Sequence, residues 1–149
     1  MCGRFAAGDM TQAQMAAIMN GFLYGTPEIS ASYQQVTGYN IKPTNSVNCL
    51  IQKDGEFELT NARWWFVPHW HRGTVKDWKQ TTFNARIETA DQKPTFRTAW
   101  TQSRCAIPAI GYYEWLGPKG AKVPHYITAK TNAPCLFFAG LSSWRKEEQ

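Results

Sequence analysis

The sequence predicts an α+β fold, mainly antiparallel β with a β-barrel-type core and a few short helices, in a single domain over residues 1–149. Short runs of β-branched and aromatic residues are separated by clusters of Gly, Pro, Asn and Asp, which is typical of strands joined by turns. Few segments have the periodicity of a helix. The composition, 43% hydrophobic and 18% charged, indicates a globular chain long enough to bury a core.

Local patterns predict the elements of the first half. A short strand is expected over residues 2–7, then a helix over residues 10–20 that Asp9 caps and Gly21 ends. Residues 21–45 are rich in Gly, Pro, Ser, Tyr and Asn, which favours an irregular loop. Strands over 47–52 and 57–67 flank the sequence KDGE, which is typical of a hairpin turn.

The second half is predicted to contain a long loop, a short helix and four strands. The loop covers residues 68–83, and loops of that length often carry function. Phe96 and Trp100, four residues apart, predict a helix over 95–102. Strands follow over 105–110, 112–116, 125–129 and 135–141, with a GPKG turn between the second and third. We expect an uncovered sheet edge near the end of the chain, through which copies could associate.

Charge and cysteine spacing restrict the class of protein. The net charge of +5 and the pI of about 9.1 favour a polyanionic partner. The sequence contains neither an apolar run of membrane-spanning length nor a signal-peptide pattern, so a soluble, cytoplasmic protein without a membrane partner is expected. The four cysteines form no C-x-x-C pair, and the sequence predicts neither a metal nor a cofactor.

Cys2 directly follows the initiator methionine. Removal of Met1 would leave a free α-amine, with a pKa of about 7.7–8.0, beside a thiol with a pKa of about 8.5. Such a 1,2-aminothiol condenses with an aldehyde to a Schiff base, and the sulfur then closes a thiazolidine ring. An internal cysteine lacks the amine and cannot react in this way. The alternative is an unremarkable second residue, which position alone does not exclude.

Two further segments carry polar groups suited to catalysis. In an extended "NARIET" segment, residues 84–89, the side chains of Asn84, Arg86 and Glu88 would share one face. An amide can orient a reacting group and a guanidinium can bind a phosphate, although a polar strand edge with a structural Arg–Glu pair fits equally well. Glu114 lies inside the apolar run "CAIPAIGYYEW", where desolvation would raise the pKa of a carboxyl as a general acid requires. A solvent-facing glutamate on an alternating strand is the alternative.

The three histidines are interpreted as ordinary residues. His69 and His71 in "HWH" would lie on one face of an extended segment, but no third metal ligand has suitable spacing. They are therefore predicted to be loop histidines. His125 follows a proline at the start of a predicted strand and is interpreted as structural.

Together the segments resemble the SOS response-associated peptidase family, whose members crosslink to abasic sites in single-stranded DNA. The resemblance runs from Met1 to about Trp144. Its motifs, in chain order, are MCGRF, YNIKPT (39–44), WWFVPHW (64–70), NARIET (84–89), FRTAW (96–100), CAIPAIGYYEW (105–115) and FFAGL (137–141).

The resemblance implies a role for each matched residue. Cys2 would be the nucleophile that traps the ring-opened deoxyribose as a thiazolidine, Asn84 the orienting amide, and Glu114 the acid/base carboxylate. The DNA contacts it implies are Arg4 and Arg86 at phosphates, Trp70 as an aromatic wedge, and Pro43 in the YNIKPT motif. It also implies abasic single-stranded DNA as the partner, Schiff-base (abasic-site lyase) chemistry and self-processing that removes Met1, without a cofactor.

Two departures from the family pattern qualify these roles. Residues 64–70, which include Phe66, contain no Gly, whereas relatives have one after the first Trp of the W-G-x-x-P-x-W pattern. The family's catalytic histidine, in an I-H-x-R-x-P context, has no match here, so the C-terminal third of the family fold is expected to be absent and crosslinking to be weaker or slower. The alternatives are a non-covalent single-stranded DNA-binding remnant of the same fold and a cysteine peptidase, for which the sequence specifies no Cys–His pair.

Overall fold

The computed structural model describes residues 2–23 and 25–145, which form two β-sheets, two α-helices and a 3-10 turn at Val75–Asp77. This agrees with the predicted α+β, mainly antiparallel class. The elements in chain order are β1 (Phe5–Ala6), α1 (Gln12–Leu23), β2 (Glu28–Ile29), β3 (Ser46–Lys53), β4 (Glu56–Arg63), α2 (Arg97–Gln102), β5 (Arg104–Ala109), β6 (Gly111–Leu116), β7 (Val123–Ile127) and β8 (Leu136–Leu141).

The larger sheet has five strands in the order β2-β4-β3-β5-β8, and only the β2–β4 pair is parallel. The predicted hairpin forms its centre, since β3 and β4 pair from Ser46 with Arg63 to Lys53 with Glu56. Asp54 and Gly55 both have positive φ, 52° and 89°, as a tight hairpin turn requires. The pairing ends at Arg63 rather than at residue 67, because the chain bends before β3, where Thr44 has a φ of 79°.

The smaller sheet has three strands in the order β1-β6-β7, all antiparallel. Gly111 begins β6 at a place where a side chain would not fit. A Cβ there would lie 2.6 Å from Cζ of Tyr126 and 2.7 Å from the carbonyl oxygen of Ile127. The glycine therefore permits the close approach of β7.

Two clusters of buried side chains form the core. One contains Phe5, Ala7, Ile41, Val47 and Ala109, and it joins β1 to the larger sheet. The other lies where α1 covers that sheet and contains Met15, Met19, Tyr33, Leu50 and Leu59. Strand β3 contributes to both clusters because successive side chains point to opposite faces. The first cluster sets the position of the N-terminal residues.

Helix α1 differs from its prediction at both ends. Thr11 precedes the helix and its hydroxyl accepts the Gln14 N–H, while the Gln14 side chain accepts the Thr11 N–H. Asp9 is therefore not the cap, and its carboxylate instead accepts a hydrogen bond from the Tyr39 hydroxyl at 2.7 Å. The helix continues through Gly21 because Phe22 packs on the larger sheet, with its ring centroid 4.9 Å from that of Phe137.

The remaining strand predictions are correct to within a few residues. Strand β7 starts two residues before the predicted position, because Val123 pairs with Leu116 of β6. Strand β2, inside the predicted 21–45 loop, was not predicted. Strand β8 is an edge of the larger sheet within the described residues. Across residues 2–23 and 25–145 no helix has the length and apolar character needed to cross a membrane.

Candidate functional site

Cys2 is half-buried three residues before β1 and packs against the core cluster that contains Phe5. Its Sγ lies 3.3 Å from the carbonyl oxygen of Arg4, to which the thiol donates a hydrogen bond. The same carbonyl accepts the Tyr113 N–H of β6 at 2.9 Å. Residues 2–4 are therefore attached to the smaller sheet, and the thiol is held against the main chain.

Asn84 fixes the main chain of Cys2. Its Nδ2 donates a 2.7 Å hydrogen bond to the Cys2 carbonyl oxygen, which joins residues 82 positions apart in the sequence. The preceding residue is held as well, because Nε1 of Trp64 donates to the Phe83 carbonyl at 2.9 Å. The Phe83 ring also packs on Trp64 and Trp65, with centroid distances of 6.1 and 5.7 Å. The Asn84 amide is thus placed by an aromatic cluster.

Glu114 is half-buried on β6 and lies near the Cys2 thiol. Burial raises the pKa of that thiol, and the negative charge of Glu114 acts in the same direction. The cross-strand neighbour of Glu114 is His125 of β7. Sequence interpretation did not connect these two residues, although the hairpin around the GPKG turn carries the signal that would pair them.

Replacement of Glu114 by glutamine is expected to lower the pKa of the Cys2 thiol, because the substitution removes the nearby negative charge but keeps the shape. Alkylation by iodoacetamide requires the thiolate. Its rate at Cys2 should therefore rise at a lower pH in the Glu114→Gln protein than in the wild type, as measured by mass spectrometry of the N-terminal peptide. Glu56→Gln, an exposed residue at the β3–β4 turn, is the matched control. Superimposable pH profiles for Glu114→Gln and the wild type would contradict the expectation.

Arg4 and Pro43 lie beside the Cys2 segment. The Arg4 guanidinium donates to Oδ1 of Asn40 at 2.7 Å. Ile41, the next residue, forms a β-bridge with Phe5, and half-buried Pro43 follows two residues later in the turn over residues 42–45. The two predicted DNA-contact residues therefore border the same end of β1.

Arg86 is exposed two residues after Asn84, but the segment around it is not a strand. The Arg86 carbonyl accepts the N–H groups of Thr89 and Ala90, at 3.1 and 2.9 Å, so the chain turns at this point. The expectation that Asn84, Arg86 and Glu88 share one strand face is therefore wrong. Because the chain turns after Arg86, the side chains of Arg86 and Glu88 do not alternate as they would in a strand.

Trp70 makes its contacts away from Cys2, on the long loop over residues 68–83. Its ring is 48% exposed and packs edge-on against Trp78 at a centroid distance of 5.8 Å. Its Nε1 donates to the Pro94 carbonyl at 3.2 Å. An exposed and well-anchored indole is consistent with the predicted wedge, and the wedge role stays a prediction.

A cleft of about 620 Å³ opens between the larger sheet and the loops that carry Asn84. Cys2 and Asn84 both line it, and its walls are mainly apolar and aromatic; examples are Phe5, Trp64, Ile107 and Phe138. Arg145, which no sequence pattern singled out, also lines the cleft and donates to the carbonyls of His71 and Gly73, both at 2.7 Å. Among the described residues, no group of three or more His, Cys, Asp or Glu side chains is arranged to hold a metal ion.

The fold and this arrangement define a mainly antiparallel α+β domain whose second residue, a cysteine, is held in a cleft by a distant asparagine. The family model described as "SOS response associated peptidase (SRAP)" matches residues 1–149, and the chain belongs to this family.

Two named relatives and one solved structure are similar to this chain. The abasic site processing protein YoqW of Bacillus subtilis is 37% identical over 74% of this chain and 49% of its own length. The abasic site processing protein YoaM of the same organism is 34% identical over 95% of this chain and 59% of its own. A crystal structure of a Bordetella bronchiseptica protein superposes with a TM-score of 0.69 at 28% identity, covering 94% of this chain and 63% of that one. The chain thus spans between about half and three-fifths of the curated relatives' length.

Proposed function

We propose that the protein captures abasic sites in single-stranded DNA through Cys2 after removal of Met1. The Cys2 α-amine attacks the aldehyde of the ring-opened deoxyribose and a water molecule leaves, which gives a Schiff base. The Cys2 sulfur then attacks the imine carbon, its proton passes to the nitrogen, and a thiazolidine ring closes. The adduct is one water lighter than its two components.

One observation carries the proposal: the hydrogen bond from the Asn84 amide to the Cys2 carbonyl oxygen. Ring closure needs the amine and the thiol of one residue to face the same carbon. A bond to the main chain of Cys2 restrains both groups at once, which is catalysis by positioning. Names of the relatives support the choice of substrate, since each is called an abasic site processing protein.

Glu114 supplies the proton transfers in this scheme. Schiff-base formation requires a proton for the departing hydroxyl, and ring closure requires a base that removes the proton of the thiol. The position of Glu114 supports this role, because the preceding residue, Tyr113, bonds to the same Arg4 carbonyl that accepts the Cys2 thiol. The same Schiff base could undergo elimination of the 3′-phosphate, which would be lyase activity, and removal of Met1 would be the protein's own peptidase-like step.

The DNA strand would follow the basic and aromatic residues around Cys2. Arg4 and Arg86 would hold phosphates flanking the abasic site, which is a sequence-independent contact. Pro43 lies near the same end of β1 as Arg4, and Trp70 would pack against a base or sugar at a greater distance from Cys2. Single strands suit such a surface, because backbone contacts and stacking need no base pairing.

Incubation of the purified protein with an abasic single-stranded oligonucleotide tests the proposal. A product that survives a denaturing gel is expected with the abasic strand and not with an undamaged strand of the same sequence. Intact-mass spectrometry should show the protein without Met1, joined to the strand with loss of one water. Active protein that retains Met1, or an adduct of a different mass, would contradict the thiazolidine scheme.

Replacement of Asn84 by aspartate is expected to slow crosslinking about tenfold, because aspartate keeps the shape but cannot donate to the Cys2 carbonyl. The measurement is the initial rate of adduct formation at saturating DNA. Asn132→Asp makes the same charge change in an exposed loop between β7 and β8 and should leave the rate unchanged. Equal slowing by both substitutions would show that charge, and not the hydrogen bond, limits the reaction.

A second candidate function is non-covalent binding to single-stranded DNA without capture. The observations that favour it are the net charge of +5 and the exposed Trp70 ring, which suit a single strand without any covalent step. This candidate predicts equal, salt-dependent binding to abasic and undamaged strands and no product on a denaturing gel. Association of two copies through the β8 edge would accompany either function, and sedimentation of the purified protein would measure it.

A further inference from the structure

Two tyrosines pair on the face of the smaller sheet that points away from the core, and a third lies beside them on the loop before Ile41. Tyr113 of β6 and Tyr126 of β7 pair directly, and their ring centroids are 4.9 Å apart with an interplanar angle of 37°. Tyr112, the preceding residue, packs on the core cluster, so Tyr113 points to the opposite face. Tyr39 lies beside this pair, because the next residue, Asn40, accepts a hydrogen bond from the Arg4 guanidinium and the Arg4 carbonyl accepts the Tyr113 N–H. We call Tyr39, Tyr113 and Tyr126 the tyrosine cluster.

The cluster is exposed and also fixed in position. Tyr39 is 51% exposed and Tyr126 is 45% exposed, so both rings present apolar area to solvent. The Tyr126 ring lies against Gly111, where any side chain would collide with it. The Tyr39 hydroxyl is held by its hydrogen bond to Asp9. Flat aromatic surface is therefore presented to solvent with little freedom to move.

A cation borders the cluster. The Arg4 carbonyl accepts the Tyr113 N–H, and the Arg4 guanidinium bonds to Asn40, the residue that follows Tyr39. A positive charge beside exposed aromatic rings matches a nucleotide, whose phosphate is anionic and whose base is flat. The net charge of +5 favours the same kind of partner.

We propose that the tyrosine cluster is a stacking platform for one unpaired DNA base whose phosphate contacts Arg4. The proposal rests on the proposed function for the path of the strand, since Arg4 lies two residues from Cys2. The base on the platform would be an intact neighbour of the abasic site. Its stacking would hold the strand while the aldehyde reacts, and it would not depend on the identity of the base.

Binding of an undamaged single strand that contains 2-aminopurine tests the platform without any covalent step. Stacking on tyrosine quenches 2-aminopurine fluorescence, so titration gives both the affinity and the environment of the base. Tyr126→Leu keeps an apolar side chain without an aromatic face and should weaken binding about tenfold and remove part of the quenching. Tyr126→Phe keeps the ring and should bind like the wild type. Phe57→Leu, a 38% exposed ring on β4, is the matched control and should have no effect.

Each result has a definite meaning. Unchanged affinity and quenching in Tyr126→Leu, or equal weakening by Phe57→Leu, overturns the platform. If thermal melting shows that Tyr126→Leu is unfolded, Tyr39→Leu carries the same test, because Tyr39 is more exposed and its loss leaves the Tyr113–Tyr126 pair intact. A wild-type protein that forms no adduct with abasic DNA, but whose strand affinity depends on Tyr126, would refute the capture reaction and retain the platform.

Discussion

The Cys2→Ala protein is expected to form stable abasic-DNA adducts at least on the order of a hundredfold more slowly than the wild type, because the ring-closing sulfur is gone. Alanine is small enough to permit removal of Met1 and leaves the α-amine in place. The Schiff base should therefore still form and be trapped by borohydride. The diagnostic result is an adduct that appears only with borohydride, compared on denaturing gels with and without the reductant.

Cys135→Ala is the control for this substitution. Cys135 is a buried free thiol just before β8 and does not line the cleft that contains Cys2. Its replacement should leave the stable adduct unchanged, provided that the variant is folded. A stable adduct in the Cys2→Ala protein without borohydride would mean that another group closes on the sugar, and the thiazolidine scheme would be wrong.

The elements that the sequence predicted correctly are determined by residues close together in the chain. The β3–β4 hairpin is an example, since Asp54 and Gly55 readily adopt the positive φ angles of its turn. Strand β2 was missed because its two residues are defined by parallel pairing with β4, roughly thirty positions later. The end of α1 was misplaced because the contact between Phe22 and Phe137 outweighs the tendency of Gly21 to end a helix.

In the candidate site, too, the features set by local sequence were predicted and those set by distant contacts were not. Cys2 was selected by its position next to the initiator and by the chemistry of an aminothiol, which are properties of the sequence itself. Asn84 was selected as an orienting amide, but its target, the Cys2 carbonyl, depends on how the loop over 68–83 folds. The turn at Arg86 arises from hydrogen bonds to Thr89 and Ala90, and no alternation pattern in "NARIET" predicts it.

Phe5→Ala is expected to lower the free energy of unfolding by about 3–5 kcal/mol, the usual cost of removing a buried phenylalanine ring. Phe5 is 3% exposed, and its ring packs against Trp64 and Phe138 at centroid distances of 5.3 and 5.6 Å. Its main chain exchanges hydrogen bonds with Ile41, at 3.1 and 2.9 Å. The cavity would therefore form where β1 joins the larger sheet. Equilibrium unfolding in urea, followed by tryptophan fluorescence, measures the change.

Phe57→Ala is the control, because it removes an aromatic ring that is exposed and not buried. Phe57 is 38% exposed on β4, and its removal should cost less than about 1 kcal/mol. The substitution at Phe5 should also slow adduct formation under conditions where the variant is still folded, because Phe5 anchors the strand that follows Cys2 and packs in the cluster that the cysteine touches. A Phe5→Ala protein as stable as Phe57→Ala would contradict the packing of β1. If a destabilised Phe5→Ala protein instead formed the adduct at the wild-type rate, the Asn84 bond alone would suffice to position Cys2.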